Sequence, residues 1–344
     1  MLREELVFDR PAALQAAAPA EARGLGRDEV RLLVSTPQGH HHARFVDLVD
    51  WLEPGDLLVV NRSATLPASL PAVGALGAFR LNLSTHYGRS VWLAEGRWSH
   101  ARPGPLPFSP GETIAVAGER ATLLAPYPGL PRLWFVQLGA ETRRQLEVCG
   151  EPIRYGYVRD RYPLAAYQTV FAAVPGSAEM PSAGRPFTSR LLHRLRQRGV
   201  GVAGLVLHTG VSSLEVESAV LEDHPMLAEP FVVPARTAQR VNAARAAGRR
   251  VIAVGTTVVR ALESVWDGRQ VQAGRGFTRV FIHPQRGVAT IDGLISGFHD
   301  PLASHLAMLY AVAGQALIRD AYREAVEHGY LWHEFGDSHL ILRG

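Results

Sequence analysis

The ten residues Val251-Ile-Ala-Val-Gly-Thr-Thr-Val-Val-Arg260 constrain the fold more than any other stretch of this 344-residue chain. Val251 to Val254 form a short, unbroken apolar run, the pattern of a buried strand. Gly255 permits a sharp turn. Thr256 and Thr257 are suited to cap a helix, and Val258–Trp266 has helical spacing closed by Gly268. A strand that runs through Gly-Thr-Thr into a helix presents free backbone N–H groups and two hydroxyls at the mouth of an α/β sheet. Those N–H groups and the helix dipole favour an anion such as a carboxylate. Arg260, one turn inside the helix, is placed to clamp the same carboxylate or to pair with Glu263. An ordinary β-α turn with a structural arginine fits the spacing as well.

The chain after residue 150 repeats this rhythm. Ser189–Arg198 reads as a helix with Leu191, Leu192 and Leu195 on one face and Gly199 as its stop. Gly204–Leu207 reads as a strand ending at His208, and Thr237–Ala247 as a helix stopped by Gly248. Thr278–Ile282 and Ala289–Asp292 are expected strands; Leu302–Ile318 and Arg319–His328 are expected helices. Nearer the start, Leu32–Val34 is a strand, Pro37-Gln-Gly39 a turn, Phe45–Leu52 helical in spacing, and Asp56–Val60 a strand that ends at Asn61. Alternating strands and helices predict an α/β fold with a mostly parallel, barrel-like sheet.

Between these parts the texture changes. Residues 62–150 are dense in Pro and Gly, with short apolar or alternating runs at Arg80–Thr85, Val91–Ala94, Thr113–Ala117, Ala121–Ala125 and Leu133–Leu138. Such runs between turn signals predict a small antiparallel β-barrel or sandwich, with a short helix after it over Glu141–Cys149. The expected organisation is a discontinuous α/β domain, residues 1–61 and 151–344, interrupted by an inserted barrel domain at 62–150.

Composition narrows the function classes. Cys149 is the only cysteine, so an intrachain disulfide and a cysteine-based zinc site are excluded. Met1-Leu-Arg-Glu-Glu-Leu6 carries charge where a signal peptide needs an apolar core, and no apolar run approaches membrane-spanning length, so a cytoplasmic location is expected. A net charge of +4 and a pI near 9.5 favour an anionic partner such as RNA. All 36 basic residues are arginine, however, in a chain rich in Ala and Gly. That is the mark of a GC-rich genome, and it makes arginine clusters poor evidence of nucleic-acid binding. His40, His41 and His42 are consecutive. Neighbours on a strand alternate sides, so the three cannot all face one metal, and they read as hairpin surface.

Polar residues gather where the strands end: His208-Thr209-Gly210, Gly255-Thr256-Thr257 and Phe298-His299. Several strands delivering polar groups to one rim is how such folds build a site.

With those residues in view, the chain resembles the S-adenosylmethionine:tRNA ribosyltransferase-isomerase family of the queuosine pathway. The likeness is carried by Tyr167-Gln-Thr-Val-Phe171, Val251 to Ser264, Phe277-Thr-Arg-Val-Phe-Ile282, Ile291-Asp-Gly-Leu-Ile-Ser-Gly-Phe-His299, Ala321-Tyr-Arg-Glu-Ala325 and Phe335-Gly-Asp337. Arg27 to Val34 and Pro54 to Asn61 extend it towards the start. The resemblance implies an α/β domain interrupted by a small β-barrel. It implies ribosyl transfer from S-adenosylmethionine, used as a substrate, to a 7-aminomethyl-7-deazaguanine base in tRNA, with release of adenine and methionine and without a metal. Gly255, Thr256, Thr257 and Arg260 would then hold the methionine carboxylate or the ribose, facing a loop of Ser182, Ala183 and Gly184. His208 would be the base, with His299 second. Glu229 and Asp292 would meet the sulfonium or the leaving adenine, and Glu222 with His224 matches a family element as an acid–base pair or a surface pair. The chain departs from the family at Met180-Pro-Ser-Ala-Gly-Arg-Pro-Phe-Thr188, where Pro186 stands for a histidine, at Leu207 to Leu214, and at Gly297 and Asp300. Two other readings therefore stay open: a relative that uses S-adenosylmethionine on a small-molecule acceptor or cleaves or rearranges it, and a non-catalytic RNA-binding protein.

Overall fold

The computed structural model describes residues 1–211, 216 and 218–343, without the side chains of Arg143 and Glu222. The expectation for Glu222, and the part of the Leu207–Leu214 departure that falls on 212–214, lie outside the described residues.

The chain first forms a hairpin, β1 (Arg31–Thr36) and β2 (Gly39–Arg44), turning at Pro37-Gln38. Phe45–Asp50 comes next as a 3-10 turn rather than an α-helix. Asp47 accepts the N–H of Arg44 and fixes its entry. Strand β3 (Leu57–Asn61) then enters the core, and β4 (Ser63–Thr65) leads out of it.

The barrel segment supplies β5 (Ser69–Gly74), β6 (Gly77–His86), β7 (Val91–Arg97), β8 (Thr113–Val116), β9 (Glu119–Tyr127) and β10 (Leu130–Gln137). These six close into a barrel in the order β10-β7-β6-β5-β8-β9, every neighbour antiparallel. Closure leaves no unpaired edge. The interior is filled by Leu70, Leu81, Leu83, Leu123 and Val136, and helix α1 (Thr142–Cys149) adds Leu146 to that core.

The remaining elements are β11 (Val174–Ser177), α2 (Ser189–Gln197), β12 (Gly201–Leu207), β13 (Glu229–Val233), α3 (Ala235–Ala246), β14 (Val251–Val254), α4 (Thr256–Ser264), β15 (Gly274–Thr278), β16 (Gly293–Gly297), α5 (Ser304–Ala313), α6 (Gln315–Glu327) and β17 (Ser338–Leu342). Strand β11 pairs with β4 in a separate two-stranded sheet. Nine strands form one sheet in the order β15-β13-β12-β3-β14-β16-β17-β1-β2. Its centre, β12-β3-β14-β16, is parallel throughout. The flanks are mixed: β13 and β15 are antiparallel additions on one side, β17 is antiparallel to β16, and β1 is parallel to β17. The barrel is thus carried in the connection between two adjacent parallel strands, β3 and β12.

Two apolar layers clasp the sheet, and alternation along each central strand feeds both. Val251 and Ala253 enter the layer shared with α3 to α6, while Ile252 and Val254 enter the layer shared with α2. Leu57 and Val59 against Leu58 and Val60 do the same on β3. Each such valine, leucine or isoleucine contributes about 1.5–3 kcal/mol when fully buried. Helix α2 is started by Thr188, whose Oγ1 accepts the N–H of Leu191 at 3.1 Å and donates to Asp28.

Three expected elements shift. The strand expected at Thr278–Ile282 ends at Thr278, because the Thr278 hydroxyl accepts the N–H of Val280 at 3.1 Å and turns the chain. Ala289–Asp292 is not a strand; β16 begins one residue later, at Gly293. The helix expected over Leu302–Ile318 is cut at Gly314, whose φ of 84° cannot continue an α-helix, and α6 starts beyond it.

Candidate active site

Gly255 is the N-cap of α4, with φ of 97°. A side chain is strained there, and a Cβ would stand 3.4 Å from the Ala183 Cβ, because the turn at Ser182–Gly184 packs over it. Thr256 and Thr257 are therefore the first helical residues, not its caps. Their N–H groups begin the helix and have no intrahelical acceptor. Asn61 ties the neighbouring strand ends together: its Nδ2 donates to the Leu207 carbonyl at 2.8 Å and to Thr257 Oγ1 at 3.2 Å, and its Oδ1 accepts from Leu207 and Ser63.

Above this rim lies a cavity of about 190 Å³. It is walled by Gly255–Thr257, by Ser296–Pro301 beyond β16, by Glu179–Ala183, by Thr209, by His305 on α5, and by His333 and Glu334 from the C-terminal loop. A smaller cavity of about 40 Å³ shares Thr209, Thr256, Thr257 and His305 with it and adds His224, Glu229 and Arg260.

Three imidazoles in the large cavity are shifted in different directions. His299 is held by its backbone: its N–H donates to the Tyr322 hydroxyl at 3.1 Å and its carbonyl accepts from Trp332 Nε1 at 3.0 Å. Its Nε2 shares a hydrogen bond of 2.8 Å with Ser296 Oγ, and its ring stacks on His305 at 4.6 Å. Burial, then the neighbouring His305, His333 and His339, hold the His299 pKa well below the ordinary imidazole value. His305 is pushed down to about 4, chiefly by burial and then by Arg260. Both rings are neutral at pH 7. His333 is the opposite case. Burial disfavours its charge, but the hydrogen bond to Asp300 at 2.8 Å and that carboxylate's charge outweigh burial and raise its pKa. His333 also sits at φ of 70°, a strained position for a side chain of its size.

Glu334 stands next to it. Burial, then the charge of Glu179, push the Glu334 carboxyl up to about 8, so it is largely protonated at neutral pH. Glu179 itself accepts a short hydrogen bond from Tyr155 Oη. The Glu334 Oε2 atom and the Thr209 Oγ1 atom are buried without a partner among the described residues. Both belong to residues that line the cavity. Buried polar atoms are ordinarily hydrogen-bonded, so two orphans on one cavity wall mark where a polar ligand fits.

The structure brings Gly255, Thr256, Thr257, Ser182, Ala183 and His299 to one cavity. Gly184 lies behind the wall, against Thr169 and Phe171. Arg260 and Glu229 are buried, at 8% and 1% exposure, and are bonded to each other. Arg260 also donates to the carbonyls of Val280 and Thr278, and Glu229 Oε1 accepts the N–H of Gly210 at 2.7 Å. Glu229 thus has no lone charge to offer a sulfonium, and Arg260 is committed to Glu229 rather than to Glu263. His208 lines neither cavity. Its Nδ1 shares a 2.7 Å hydrogen bond with Ser63 Oγ, and its ring lies against Gly176, where a Cβ would approach to 2.5 Å. Its neighbour Thr209 reaches the cavity instead. Asp292 is at the wrong end of the sheet: its Oδ2 accepts the N–H of Val251, the first residue of β14, at 2.8 Å. Gly255 lies four residues further on, about 13 Å along a strand. His224 lines the small cavity. Sequence reasoning placed Thr209 on the rim only as the neighbour of His208, and it did not single out Glu179, His305, His333 and Glu334, which line the cavity. Glu179 adjoins the Met180–Thr188 stretch and Glu334 adjoins Phe335-Gly-Asp337; nothing in the sequence pointed to His305.

A parallel-centred α/β sheet with a strand-end cavity of imidazoles and carboxyl groups, carrying a closed six-stranded barrel in one crossover, defines a two-part α/β enzyme architecture. The chain belongs to the queuosine biosynthesis protein family, whose model matches residues 3–341. It is 39% identical over 325 residues to the S-adenosylmethionine:tRNA ribosyltransferase-isomerase of Thermus thermophilus, covering 92% of this chain and 93% of that one. It is 38% identical to the protein of the same name from Moorella thermoacetica, covering 98% and 99%. The crystal structure of S-adenosylmethionine tRNA ribosyltransferase from Thermotoga maritima superimposes with a TM-score of 0.56 at 27% identity, covering 98% of this chain and all of that one. Among the described residues no helix is long and apolar enough to cross a membrane.

Proposed function

We propose that this chain is an S-adenosylmethionine:tRNA ribosyltransferase-isomerase of queuosine biosynthesis, and that the large cavity is where it reacts. The match to relatives of that name over nearly the whole length carries the activity. Residues 1–61 with 151–344 act as the catalytic unit and 62–150 as an inserted unit. The substrates are S-adenosylmethionine and a tRNA bearing 7-aminomethyl-7-deazaguanine, which places the enzyme in the cytoplasm.

The cavity suits a zwitterionic, cationic nucleoside. The N–H groups and hydroxyls of Thr256 and Thr257 offer donors to a carboxylate at the helix N-terminus. Glu179 supplies negative charge for a sulfonium. Asp300 is spent on ion pairs with Arg10 and His333, each at 2.8 Å, which outweigh the effect of burial and hold its pKa down. The sulfonium acidifies the adjacent ribose 5′ carbon. His299, neutral and fixed by three hydrogen bonds, is the acceptor for that proton. Glu334 is a protonated carboxyl on the same wall and donates to the departing adenine. Pro186, which stands where the family has a histidine, takes no part in proton transfer, so these duties fall on His299 and Glu334.

The test is incubation with S-adenosylmethionine, with and without tRNA carrying the aminomethyl-deazaguanine, and then mass analysis of RNA and small molecules. Release of adenine and methionine only with tRNA, together with a mass gain on the tRNA, is expected. Release without RNA would favour a small-molecule acceptor or cleavage of S-adenosylmethionine. RNA binding with a steep salt dependence and no turnover would favour a non-catalytic binding protein.

A further inference from the structure

The three consecutive histidines take no part in the cavity. They lie on β2, the edge strand of the large sheet. Alternation sends His41 against Trp51, with ring centroids 5.1 Å apart, and sends His40 and His42 towards α6. Asp320 and Glu324 on α6, and His328 at its C-cap, are spaced four residues apart, about 6 Å per step. His40 and His42 are two residues apart on a strand, about 6.8 Å. The two spacings match, and two rungs form. In the first, His40 Nε2 lies 3.3 Å from Asp320 Oδ2. In the second, His42 Nε2 lies 3.0 Å from Glu324 Oε1, and His328 Nδ1 lies 3.6 Å from the same oxygen.

The second rung is organised beyond the needs of a surface ion pair. Tyr330 Oη is 2.8 Å from His42 Nδ1 and 3.4 Å from the Leu32 carbonyl. Tyr330 Oη holds Nδ1 and fixes the ring, so that Nε2 faces a carboxylate oxygen. The space between that nitrogen and that oxygen takes a proton or a metal ion. Tyr330 is itself fixed, with the Arg31 guanidinium 4.1 Å over its ring. Such an outer partner is what orients a metal-binding imidazole. One donor atom from each of His42, Glu324 and His328 lies within 4.8 Å of the other two. Bonds of 2.0–2.1 Å to a tetrahedral ion would put donors about 3.3 Å apart, between the two distances seen. His328 is the adjustable member: its Nδ1 donates to the Glu324 carbonyl at 3.0 Å, and it is half exposed. Solvent access leaves room for water as a fourth ligand.

We propose that His42, Glu324 and His328 bind a divalent transition cation of the zinc class, which staples the edge strand β2 to α6. Two imidazoles and one carboxylate select against the hard, oxygen-seeking cations magnesium and calcium. None of the three residues lines either cavity, so the site is independent of the proposed reaction.

The experiment is a zinc titration of the full chain, freed of any affinity tag, in competition with a chromophoric chelator. One equivalent per chain is expected, weakened at least about tenfold in both His328→Ala and Glu324→Gln. The first variant is at an exposed position and the second keeps the side-chain shape, so both fold. Turnover of His328→Ala stays at the wild-type level. Crystals soaked in zinc show an anomalous peak between β2 and α6. Equal zinc affinity in wild type and both variants, or a peak only beside His299 and His305, would overturn the proposal.

Discussion

The two cavities share a wall but treat their ionisable groups in opposite ways. In the small one, Arg260 and Glu229 neutralise each other, and their remaining atoms are bonded to backbone carbonyls and to the Gly210 N–H. On walls that belong to the large one alone, Glu334 is protonated by its surroundings, its Oε2 has no partner among the described residues, and His299 is stripped of charge; His305 and Thr209 line both. A satisfied buried network holds strands and helices in place. An unsatisfied one is a cost to the fold that bound water or a ligand offsets. The contrast sets Arg260 and Glu229 apart as a satisfied buried pair and leaves His299 and Glu334 as the groups proposed for chemistry.

Substitutions can break that contrast. The largest expected effect is on His299. Replacing it with Ala removes the proton acceptor, and turnover is expected to fall about 10²–10⁴-fold, while calorimetry still detects binding of S-adenosylmethionine. Wild-type turnover would end its role as base. The next largest is on Arg260. Arg260→Met leaves the Glu229 carboxylate buried and unpaired, which costs about 3–5 kcal/mol of stability, read by denaturant unfolding. Adding Glu229→Gln should recover most of that loss. If Arg260→Met were as stable as the parent but failed to bind S-adenosylmethionine, the arginine would be a ligand clamp after all.

A third effect concerns Glu334. Its carboxyl is held above the ordinary carboxylate range, at about 8, by burial and by Glu179. The folded state therefore keeps a proton that the unfolded chain loses near pH ~4.3. The stabilisation is complete below that value and is lost as pH rises through about 8. Turnover that needs the proton should decline over the same alkaline limb. In Glu334→Gln the amide cannot titrate, so stability between about pH 4 and 8 should be flatter and turnover low at every pH. An unchanged alkaline limb in that variant would assign the titration to another group.

The same contrast explains what the sequence made legible. Alternation and turn residues located the barrel strands, because each barrel strand carries its own local pattern; Leu81 and Leu83 point inward and Asn82 lies between them. The Gly255 rim was legible because four apolar residues and a glycine are a local signal. Asp292 was misplaced through a shift of strand register. With a strand read at Ala289–Asp292, this carboxylate falls at the C-terminal rim; with β16 at Gly293–Gly297 it falls at the opposite end. His208 lies one residue from the cavity lining at Thr209, since adjacent side chains at a strand end face opposite ways. His333 and Glu334 reach the cavity from the loop between α6 and β17, far along the chain from Gly255. That approach is tertiary, and neither composition nor period encodes it.

The smallest effect tests His208 as the inner control. Its ring nitrogen meets Ser63 Oγ, which in turn meets Ser177 Oγ at 2.6 Å, so the residue belongs to the seam between β4, β11 and β12. Burial lowers its pKa, so it is neutral in that seam. His208→Asn keeps a polar atom for Ser63 and should cost about 1 kcal/mol, with turnover within a few-fold of the parent. Loss of turnover comparable to that of His299→Ala, at unchanged stability, would mean that the seam opens to the substrate. The wall between the satisfied and unsatisfied regions would then have to be redrawn to include β11.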